Sequence, residues 1–282
     1  MNDYLVMIEW PNGSRCAVCF TFDVDAEISW RGVLRRNNIY RDDPVVLSLG
    51  TYCIKRGLPR ILDILRKNDI KATFFVPGRI AEIHREQVKS IIEDGHEIAH
   101  HGYNHIVPTR LSPVEEEEDF RKGFELLRDL CGVTPSGYRS PGEGLSDHTL
   151  KIITKYGLLY ESSMMDDDVP YVVDIDGKKL VELPWRWILD DWVYFGFNYF
   201  PPLEYRKAHP ESPRKVLEIW KDEFDAIYDE NLYFMIIMHP QIMGQPSRAR
   251  VLNELINYIK SKEKVWITTA RELALYCAST LK

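Results

Sequence analysis

The sequence predicts an α/β protein, a distorted (β/α) barrel with seven or eight parallel strands. Three observations favour this class. Short apolar runs alternate with amphipathic stretches, the apolar runs contain few interspersed polar residues, and 282 residues suit one barrel domain. Strands without such alternation are covered on both faces, as in a parallel sheet. We therefore expect residues 1–282 to form a single domain.

The predicted strands are distributed along the whole chain and are separated by helices. We expect strands at Cys16–Thr21, Lys71–Val76, Glu97–His101, Gly137–Arg139, Leu158–Ser162, Val181–Trp187, Leu232–Met238 and Val265–Thr268. We expect helices at Leu58–Asn68, Glu82–Asp94, Pro113–Leu130, Asp147–Tyr156, Pro213–Asp229 and Arg248–Lys260. The connection Ala26–Gly57 is long, so we expect the barrel to be incomplete or distorted.

The third predicted helix has clear start and stop signals. Ser112 precedes Pro113 and is followed three residues later by Glu115, which is the pattern of a capping box, and Gly132 stands just past the end. The acidic run Glu115–Glu118 then falls in the first turns, where the helix dipole favours negative charge. We interpret this run as a solvated face rather than a metal site.

Charge and hydropathy argue against nucleic-acid and membrane partners. The net charge is -7, from 36 Lys plus Arg and 43 Asp plus Glu, and the basic residues look scattered along the sequence. The N-terminus lacks a basic segment followed by a long apolar run, and no window reaches the length of a membrane span. We expect a cytoplasmic protein, with a homo-oligomer left open.

The cysteines do not predict a disulfide framework. There are five, an odd number, without a repeated spacing. Cys16 and Cys19 form a C-x-x-C inside the apolar run CAVCF, but no second pair completes a zinc site. We interpret both as buried thiols of a strand in a reducing compartment.

The polar residues best suited to chemistry fall where predicted strands end. Asp23 and Asp25 follow the first strand, His101 closes the third, Arg139 the fourth and His239 the seventh. Catalytic residues of (β/α) barrels lie at the carboxyl ends of strands. The sequence therefore predicts that these five side chains meet at one mouth of the barrel.

The spacing within two pairs of residues, Asp23 with Asp25 and His101 with His105, indicates a metal. If the first strand continues through Asp23 and Asp25, both carboxylates point to one side, where they repel each other unless a cation or a proton intervenes. His101 and His105 are four apart, so a helical turn or a tight loop would bring both imidazoles to one ion. Two histidines and one carboxylate leave a position for water, as in catalytic zinc sites.

Each of these residues also has a plainer interpretation. An aspartate at a strand end is often a turn or cap residue, and an H-x-x-x-H pair often arises by chance. We interpret His100 as a packing or supporting residue and His96 as structural. No function is assigned to His84, His148 or His209.

Four segments together resemble a known family. TFDVDAE, GHEIAHHGYNH, GYRSPGE and FMIIMHP occur in this order and resemble the motifs of the polysaccharide deacetylase family, also called NodB-homology or carbohydrate esterase family 4. The resemblance extends from about Phe20 to Leu275. It implies a distorted (β/α) barrel in which one divalent metal ion, with zinc expected, serves to remove acetyl groups from N-acetylated sugars.

The resemblance also implies roles for the matching residues. Asp23 would be the general base, and the metal ligands would be Asp25, His101 and His105. The metal would polarise the amide carbonyl and lower the pKa of its water to about 7. Apart from the resemblance, we expect a backbone N–H near Tyr103 or Asn104 to help hold the oxyanion.

The remaining roles concern the acid and the residues that orient the catalytic pair. His239 would protonate the departing nitrogen, because an amine leaves poorly as an anion. Arg139 would hold Asp23 in a fixed orientation. The segment LDDWVYF resembles the family's fourth motif, in which Asp191 would orient His239, although Asp190 is an almost equal candidate.

The substrate stays open because the match departs from the family pattern. Val24 separates the two aspartates that are adjacent in many members. This spacing, with ELPWRW, SSMMDDDVPY and HPQ, resembles a cytoplasmic subgroup that also contains allantoinase-like and cyclic imidase-like members. We expect a hydrolase of non-peptide carbon–nitrogen bonds, with an N-acetylated sugar or polysaccharide as the leading substrate and a small cyclic amide as the alternative.

Two other classes and one aromatic segment complete the sequence-based hypotheses. Two histidines and a carboxylate also hold iron in non-haem oxygenases, and a non-catalytic carbohydrate-binding protein could keep the fold. An aromatic-rich segment would form a barrel wall or subunit contact rather than a stacking platform for substrate rings. Its residues are Trp185, Trp187, Trp192, Tyr194, Phe195, Phe197, Tyr199 and Phe200.

Overall fold

The computed structural model describes residues 8–196 and 210–281, and within them nine strands form one sheet. The strands are β1 (Cys16–Asp23), β2 (Thr73–Val76), β3 (Glu97–His100), β4 (Gly137–Tyr138), β5 (Tyr160–Glu161), β6 (Tyr171–Ile175), β7 (Lys178–Glu182), β8 (Tyr233–Met238) and β9 (Val265–Thr268). All eight predicted strands are present, although several are shorter than expected.

The sheet is mostly parallel and curls into a half-barrel. Its order is β6-β7-β5-β4-β3-β2-β1-β8, and β9 also pairs with β1. Every pairing is parallel except that of β6 with β7. The predicted distorted (β/α) barrel is therefore confirmed, and the carboxyl ends of its parallel strands lie at one edge.

Strand β6 was not predicted. It forms an antiparallel hairpin with β7 through Asp176 and Gly177, which both have positive φ, 51° and 82°. Asp-Gly between two strand-forming runs is a strong hairpin signal, because both residues tolerate the left-handed conformation of a type I′ turn. The signal was present in the sequence and was missed.

Twelve helices accompany this sheet in the described part of the chain. They are α1 (Ala26–Arg36), α2 (Pro44–Tyr52), α3 (Leu58–Lys67), α4 (Gly78–Ile83), α5 (Arg85–Glu93), α6 (Pro113–Cys131), α7 (Thr149–Lys155), α8 (Asp191–Phe195), α9 (Pro213–Asp229), α10 (Pro240–Met243), α11 (Pro246–Lys260) and α12 (Ala270–Thr280). None of the helices described combines the length and apolar character that crossing a bilayer requires.

The long early connection is helical. It contains α1 and α2, and a π-helical turn, Cys53–Gly57, leads from α2 into α3. Helix α1 was missed because no side chain caps its start: Asp25 stands at the N-cap position but makes no capping hydrogen bond there. This side chain faces the histidines described below.

Helix α6 confirms its predicted ends. The Ser112 and Glu115 side chains make the reciprocal bonds of a capping box, and Gly132 ends the helix with φ of 70°. One part of the prediction is wrong, because Glu116 is buried and accepts hydrogen bonds from Ser146 and Thr149. The acidic run is therefore a solvated face only in part.

Strand β1 runs through the centre of the core. All eight of its residues are buried, between β2 on one side and β8 on the other. Phe22 stacks on Phe74 of β2 with ring centroids 5.0 Å apart. Cys16 and Cys19 are buried free thiols, as predicted. The carboxyl end of β1 therefore lies between the ends of β2 and β8.

Candidate active site

The two aspartates after β1 converge although the strand does not continue through them. Strand β1 ends at Asp23, Asp25 has helical φ and ψ, and Ala26 has a φ of 45°. The expectation of a continuous strand is therefore wrong. The turn nevertheless brings Asp23 Oδ2 to 3.9 Å and Asp25 Oδ1 to 3.5 Å from Nε2 of His101.

The two histidines reach this point from a tight loop. His101 directly follows β3, and His105 has a positive φ of 55°. The Nε2 atom of His105 lies 3.4 Å from Asp25 Oδ1. A left-handed residue that is not glycine costs about 1–3 kcal/mol and persists where the surroundings hold it.

Asp119 of α6 holds this loop. Its carboxylate accepts hydrogen bonds from the backbone N–H of Tyr103 at 2.8 Å and of Asn104 at 3.1 Å. The expectation that one of these N–H groups would hold an oxyanion is therefore wrong, because both are already bonded. Nothing in the sequence marks Asp119 as a residue of the site; it directly follows the acidic run in α6.

The donor atoms of Asp25, His101 and His105 fit a divalent cation. They lie within 4.8 Å of one another, and Asp25 Oδ1 is buried without a hydrogen-bond partner. Ligands about 2.0–2.1 Å from a tetrahedral zinc ion stand roughly 3.4 Å apart. The two distances from Asp25 Oδ1, 3.4 and 3.5 Å, match that spacing better than a direct hydrogen bond.

The chemical state of these side chains suits metal binding. His101 donates its Nδ1 proton to the carbonyl oxygen of Arg139 at 2.7 Å, so Nε2 is the ring nitrogen that faces Asp25. Burial by itself would lower the pKa of His101, but Asp23 and Asp25 outweigh it and raise that pKa, so a positive charge, from a proton or a metal ion, is favoured at Nε2. Burial lowers the pKa of His105 to about 4, so this imidazole is neutral at pH 7. Burial by itself would raise the pKa of Asp25, but the neighbouring histidines outweigh it and lower that pKa.

Arg139 is a buried arginine that holds Asp23. Its Nη1 donates to Asp23 Oδ1 at 2.9 Å and to Thr21 Oγ1 at 3.0 Å. Its Nε and Nη2 donate to the carbonyl and hydroxyl oxygens of Ser162 at 3.2 and 3.1 Å. The guanidinium lies 4.0 Å above the ring of Phe75. Thr21 and Ser162 were missed, because nothing in the sequence separates them from other buried hydroxyls.

His239 is bound by Asp191 through two contacts. Its Nδ1 donates to Asp191 Oδ1 at 2.7 Å, and its backbone N–H donates to Oδ2 at 2.8 Å. Asp190 instead accepts from the backbone N–H of Trp192 and caps α8. Burial by itself would lower the pKa of His239, but Asp191 outweighs it and raises that pKa well above its ordinary value.

The imidazole of His239 faces the candidate metal site. Its Nε2 lies 3.8 Å from Asp25 Oδ2, the oxygen that does not face the other two histidines. All seven residues to which the sequence analysis gave a role thus form one connected cluster, with the Asp25 carboxylate at its centre. They are Asp23, Asp25, His101, His105, Arg139, Asp191 and His239.

The other histidines lie outside this cluster. His100 is buried against Phe120 of α6, with ring centroids 4.4 Å apart, and the Nδ1 of His96 accepts a hydrogen bond from the backbone N–H of Ala72. His84 Nε2 lies 2.9 Å from a carboxylate oxygen of Glu27. His148 is exposed, and His209 lies outside the described residues.

One residue of the aromatic segment belongs to the site. The ring of Trp192 lies edge-on to His239 with centroids 5.1 Å apart. Trp185 is buried, whereas Trp187 is 47% exposed. Phe197, Tyr199 and Phe200 lie outside the described residues. The expected role as a barrel wall therefore holds for Trp185, while Trp192 contacts a candidate catalytic residue.

Comparison with known proteins identifies the family. The sequence profile described as polysaccharide deacetylase matches residues 42–160. A peptidoglycan deacetylase of Helicobacter pylori is 31% identical over 288 residues, covering 91% of this chain and 94% of the relative. The chain belongs to the polysaccharide deacetylase family. The resemblance seen in the motifs is thereby confirmed, and so is the prediction of a hydrolase acting on non-peptide carbon–nitrogen bonds.

Two solved structures share this fold over nearly the whole chain. One from Mycobacterium smegmatis, described as a polysaccharide deacetylase, superposes with a TM-score of 0.91 at 36% identity and covers 99% of this chain and 96% of its own. PuuE allantoinase superposes with a TM-score of 0.84 at 24% identity and covers 99% and 95%. At that identity, the second likeness shows the fold alone.

Proposed function

We propose that this deacetylase-family enzyme hydrolyses its amide substrate with Asp23 as base and His239 as acid. One observation carries the proposal: a single buried carboxylate, Asp25, has one oxygen facing two imidazoles and the other facing His239. Buried polar atoms normally have a hydrogen-bond partner, but Asp25 Oδ1 has none among the described residues. Packing alone therefore does not explain why these side chains converge.

Asp25, His101 and His105 would hold one divalent metal ion, for which zinc is the proposed identity. Two imidazoles and one carboxylate are typical of catalytic zinc sites with an open position. When bound, such an ion supplies Lewis acidity, polarising the amide carbonyl and making water acidic.

The protein side chains carry the two proton transfers. Asp23 accepts the proton of the attacking water, and Arg139 fixes the direction of its carboxylate through the 2.9 Å ion pair. His239 donates a proton from Nε2 to the departing nitrogen. Its raised pKa keeps the imidazole protonated at neutral pH, and Asp191 holds the ring through Nδ1.

Substrate hydrolysis tests the proposal and separates the two substrate classes. The leading substrate is an N-acetylated sugar, as the relatives' names suggest, and the alternative is a cyclic amide, as in the allantoinase of the same fold. Zinc-loaded protein is incubated with N-acetylglucosamine oligomers, allantoin and succinimide. Acetate release supports the first class, and ring opening without acetate supports the second. Consumption of 2-oxoglutarate instead would overturn the hydrolase and support an iron oxygenase.

A variant control ties any activity to the site. Asp23→Asn should abolish either activity while the protein stays folded, and hydrolysis unaffected by this change would refute the assignment of the base. Retained binding of sugar oligomers without hydrolysis by any metal-loaded form would support a carbohydrate-binding protein instead.

We also propose that the protein works in the cytoplasm. The five cysteines are free thiols, and four of them are buried, which suits a reducing compartment. Thiol titration of protein recovered from cell fractions would test this, and recovery outside the cytoplasm would refute it.

A further inference from the structure

A cavity of about 620 Å³ lies beside the candidate metal site. Asn104 and His105 form part of its wall, so a molecule within it would lie against the loop that carries a proposed ligand. Five arginines line the same cavity, namely Arg31, Arg35, Arg36, Arg79 and Arg110. The basic residues were expected to be scattered over the protein. This expectation is wrong here, because arginines that are far apart in the sequence lie together around one cavity.

This local charge contrasts with that of the whole chain. The protein carries a net charge of -7, yet among the described residues that line the cavity Asp42 is the one carboxylate. Asp42 pairs with Arg31 at 3.1 Å. Its charge is thus opposed by a neighbour, whereas Arg35, Arg79 and Arg110 form no ion pair with any residue that the structure describes.

Arg79 is the best positioned of these arginines. Its backbone N–H donates to the carbonyl of Tyr103 at 3.1 Å, and its Nη1 donates to the Tyr103 hydroxyl at 3.3 Å. The side chain is half-buried and forms no ion pair among the described residues. A guanidinium held in this way loses little conformational freedom on binding an anion, and its planar fork matches a carboxylate or a phosphate.

The alternative is that these arginines are ordinary solvated residues. It accounts for Arg35 and Arg36, which lie in the last turn of α1, where positive charge suits the helix dipole. It does not account for Arg79 at the start of α4 or Arg110 in the 3-10 turn after the histidine loop. Three separate segments contribute cations to one concave surface, which indicates a ligand.

We propose that the substrate is an amide bearing an anionic group, a carboxylate or a phosphate, which Arg79, Arg35 and Arg110 bind while the amide lies at the metal site. This inference rests on the proposed function, because it places the scissile bond beside His105. The anionic group would orient the substrate and use binding energy away from the reacting atoms. The inference narrows the two candidate substrate classes, N-acetylated sugars and cyclic amides, to members that carry an acidic group.

Matched substrates test the proposal. N-acetylglucosamine 6-phosphate and N-acetylmuramic acid are compared with N-acetylglucosamine, and hydantoin-5-acetate with hydantoin, by kcat/KM of the zinc-loaded protein. We expect an anionic member to be preferred at least tenfold, and the phosphate and carboxylate arms show which anion the cavity takes. The preference should fall at least tenfold in Arg79→Gln and less in Arg79→Lys, which keeps the charge but loses the fork.

Arg128→Gln is the matched control. Arg128 is exposed near the end of α6, which leads into the amino end of β4, at the edge of the sheet opposite the site. The substitution removes the same charge and should leave the preference unchanged. A preference near one in the wild type, or one that Arg79→Gln leaves intact, overturns the inference while the proposed function stands.

A binding measurement separates the two proposals. Inorganic phosphate is titrated calorimetrically into the metal-free wild type, Arg79→Gln and Arg128→Gln. Tenfold weaker binding in Arg79→Gln alone supports the anion site even if no amide is hydrolysed, in which case the proposed function fails by itself. Equal binding in all three proteins counts against the site.

Discussion

Replacing Asp191 by Asn tests how the protein sets up its acid. Both oxygens of Asp191 are used by His239, one by the ring and one by the backbone, and the carboxylate is fully buried. Asparagine has one acceptor oxygen in place of two. Either the ring or the backbone contact must therefore be lost, and the negative charge is lost in every case.

The size of the effect follows from these contacts. A hydrogen bond to a charged group contributes about 1.5–3 kcal/mol, and each 1.36 kcal/mol in a barrier is tenfold in rate. If the lost contact stabilises the protonated imidazole in the transition state, kcat should fall by about 10-fold to 150-fold. Burial of both side chains keeps water from replacing the contact.

The pH dependence of kcat shows in which direction the pKa of His239 changes. The pKa of His239 is raised by Asp191, so the acid form persists at neutral pH and activity is lost as the pH rises through that raised pKa. Without the carboxylate charge, the pKa of His239 falls. The alkaline limb of kcat should therefore move to lower pH in Asp191→Asn, as measured by steady-state rates across the pH range.

Asp190→Asn is the control for this prediction. It removes a charge from the neighbouring residue, but the Asp190 side chain caps α8, whereas Asp191 holds the His239 ring. Its alkaline limb should move less than that of Asp191→Asn. An unchanged limb in Asp191→Asn, or one that moves to higher pH, would refute the assignment of His239 as the acid.

The remaining predictions concern metal binding and the buried ion pair. Asp23→Asn should retain zinc but lose turnover, whereas His101→Ala should lose zinc; equal zinc loss in both, by elemental analysis, would contradict the separate roles of the two aspartates. Zinc at 100 times its Kd should stabilise the wild type by about 2.7 kcal/mol, and chelation should reverse this. Stabilisation of similar size in His101→Ala would show that zinc binds elsewhere. Arg139→Gln should lower the free energy of unfolding by about 3–5 kcal/mol in urea titrations, because it leaves Asp23 buried without its partner. The exposed Arg128→Gln should change it by less than about 1 kcal/mol, and equal losses would argue against the buried pair.

Much of the fold could be predicted because local signals and tertiary structure agree. The capping box at Ser112 and Glu115 marks the start of α6, and the uninterrupted apolar run of β1 predicts a strand covered on both faces. The prediction failed where a local signal was absent or ignored. Helix α1 begins without a side-chain cap because Asp25 faces the two histidines of the site.

The candidate site, like the fold, could be predicted only in part from the sequence. The sequence by itself determined which residues could meet, because parallel strands place Asp23, His101, Arg139 and His239 at the same edge of the sheet. Their order and spacing also determined the family. Such inferences need only the direction of each strand and the residue at its end.

Only the tertiary structure decided which side chains from segments distant in sequence contact each other. It placed Asp191 rather than Asp190 on His239, and it used Asp119 to occupy the backbone N–H groups of the histidine loop. It also gathered arginines from three segments around one cavity. The chemistry of a side chain is fixed by its type, but its partners are fixed by packing between segments distant in sequence, which no local pattern encodes.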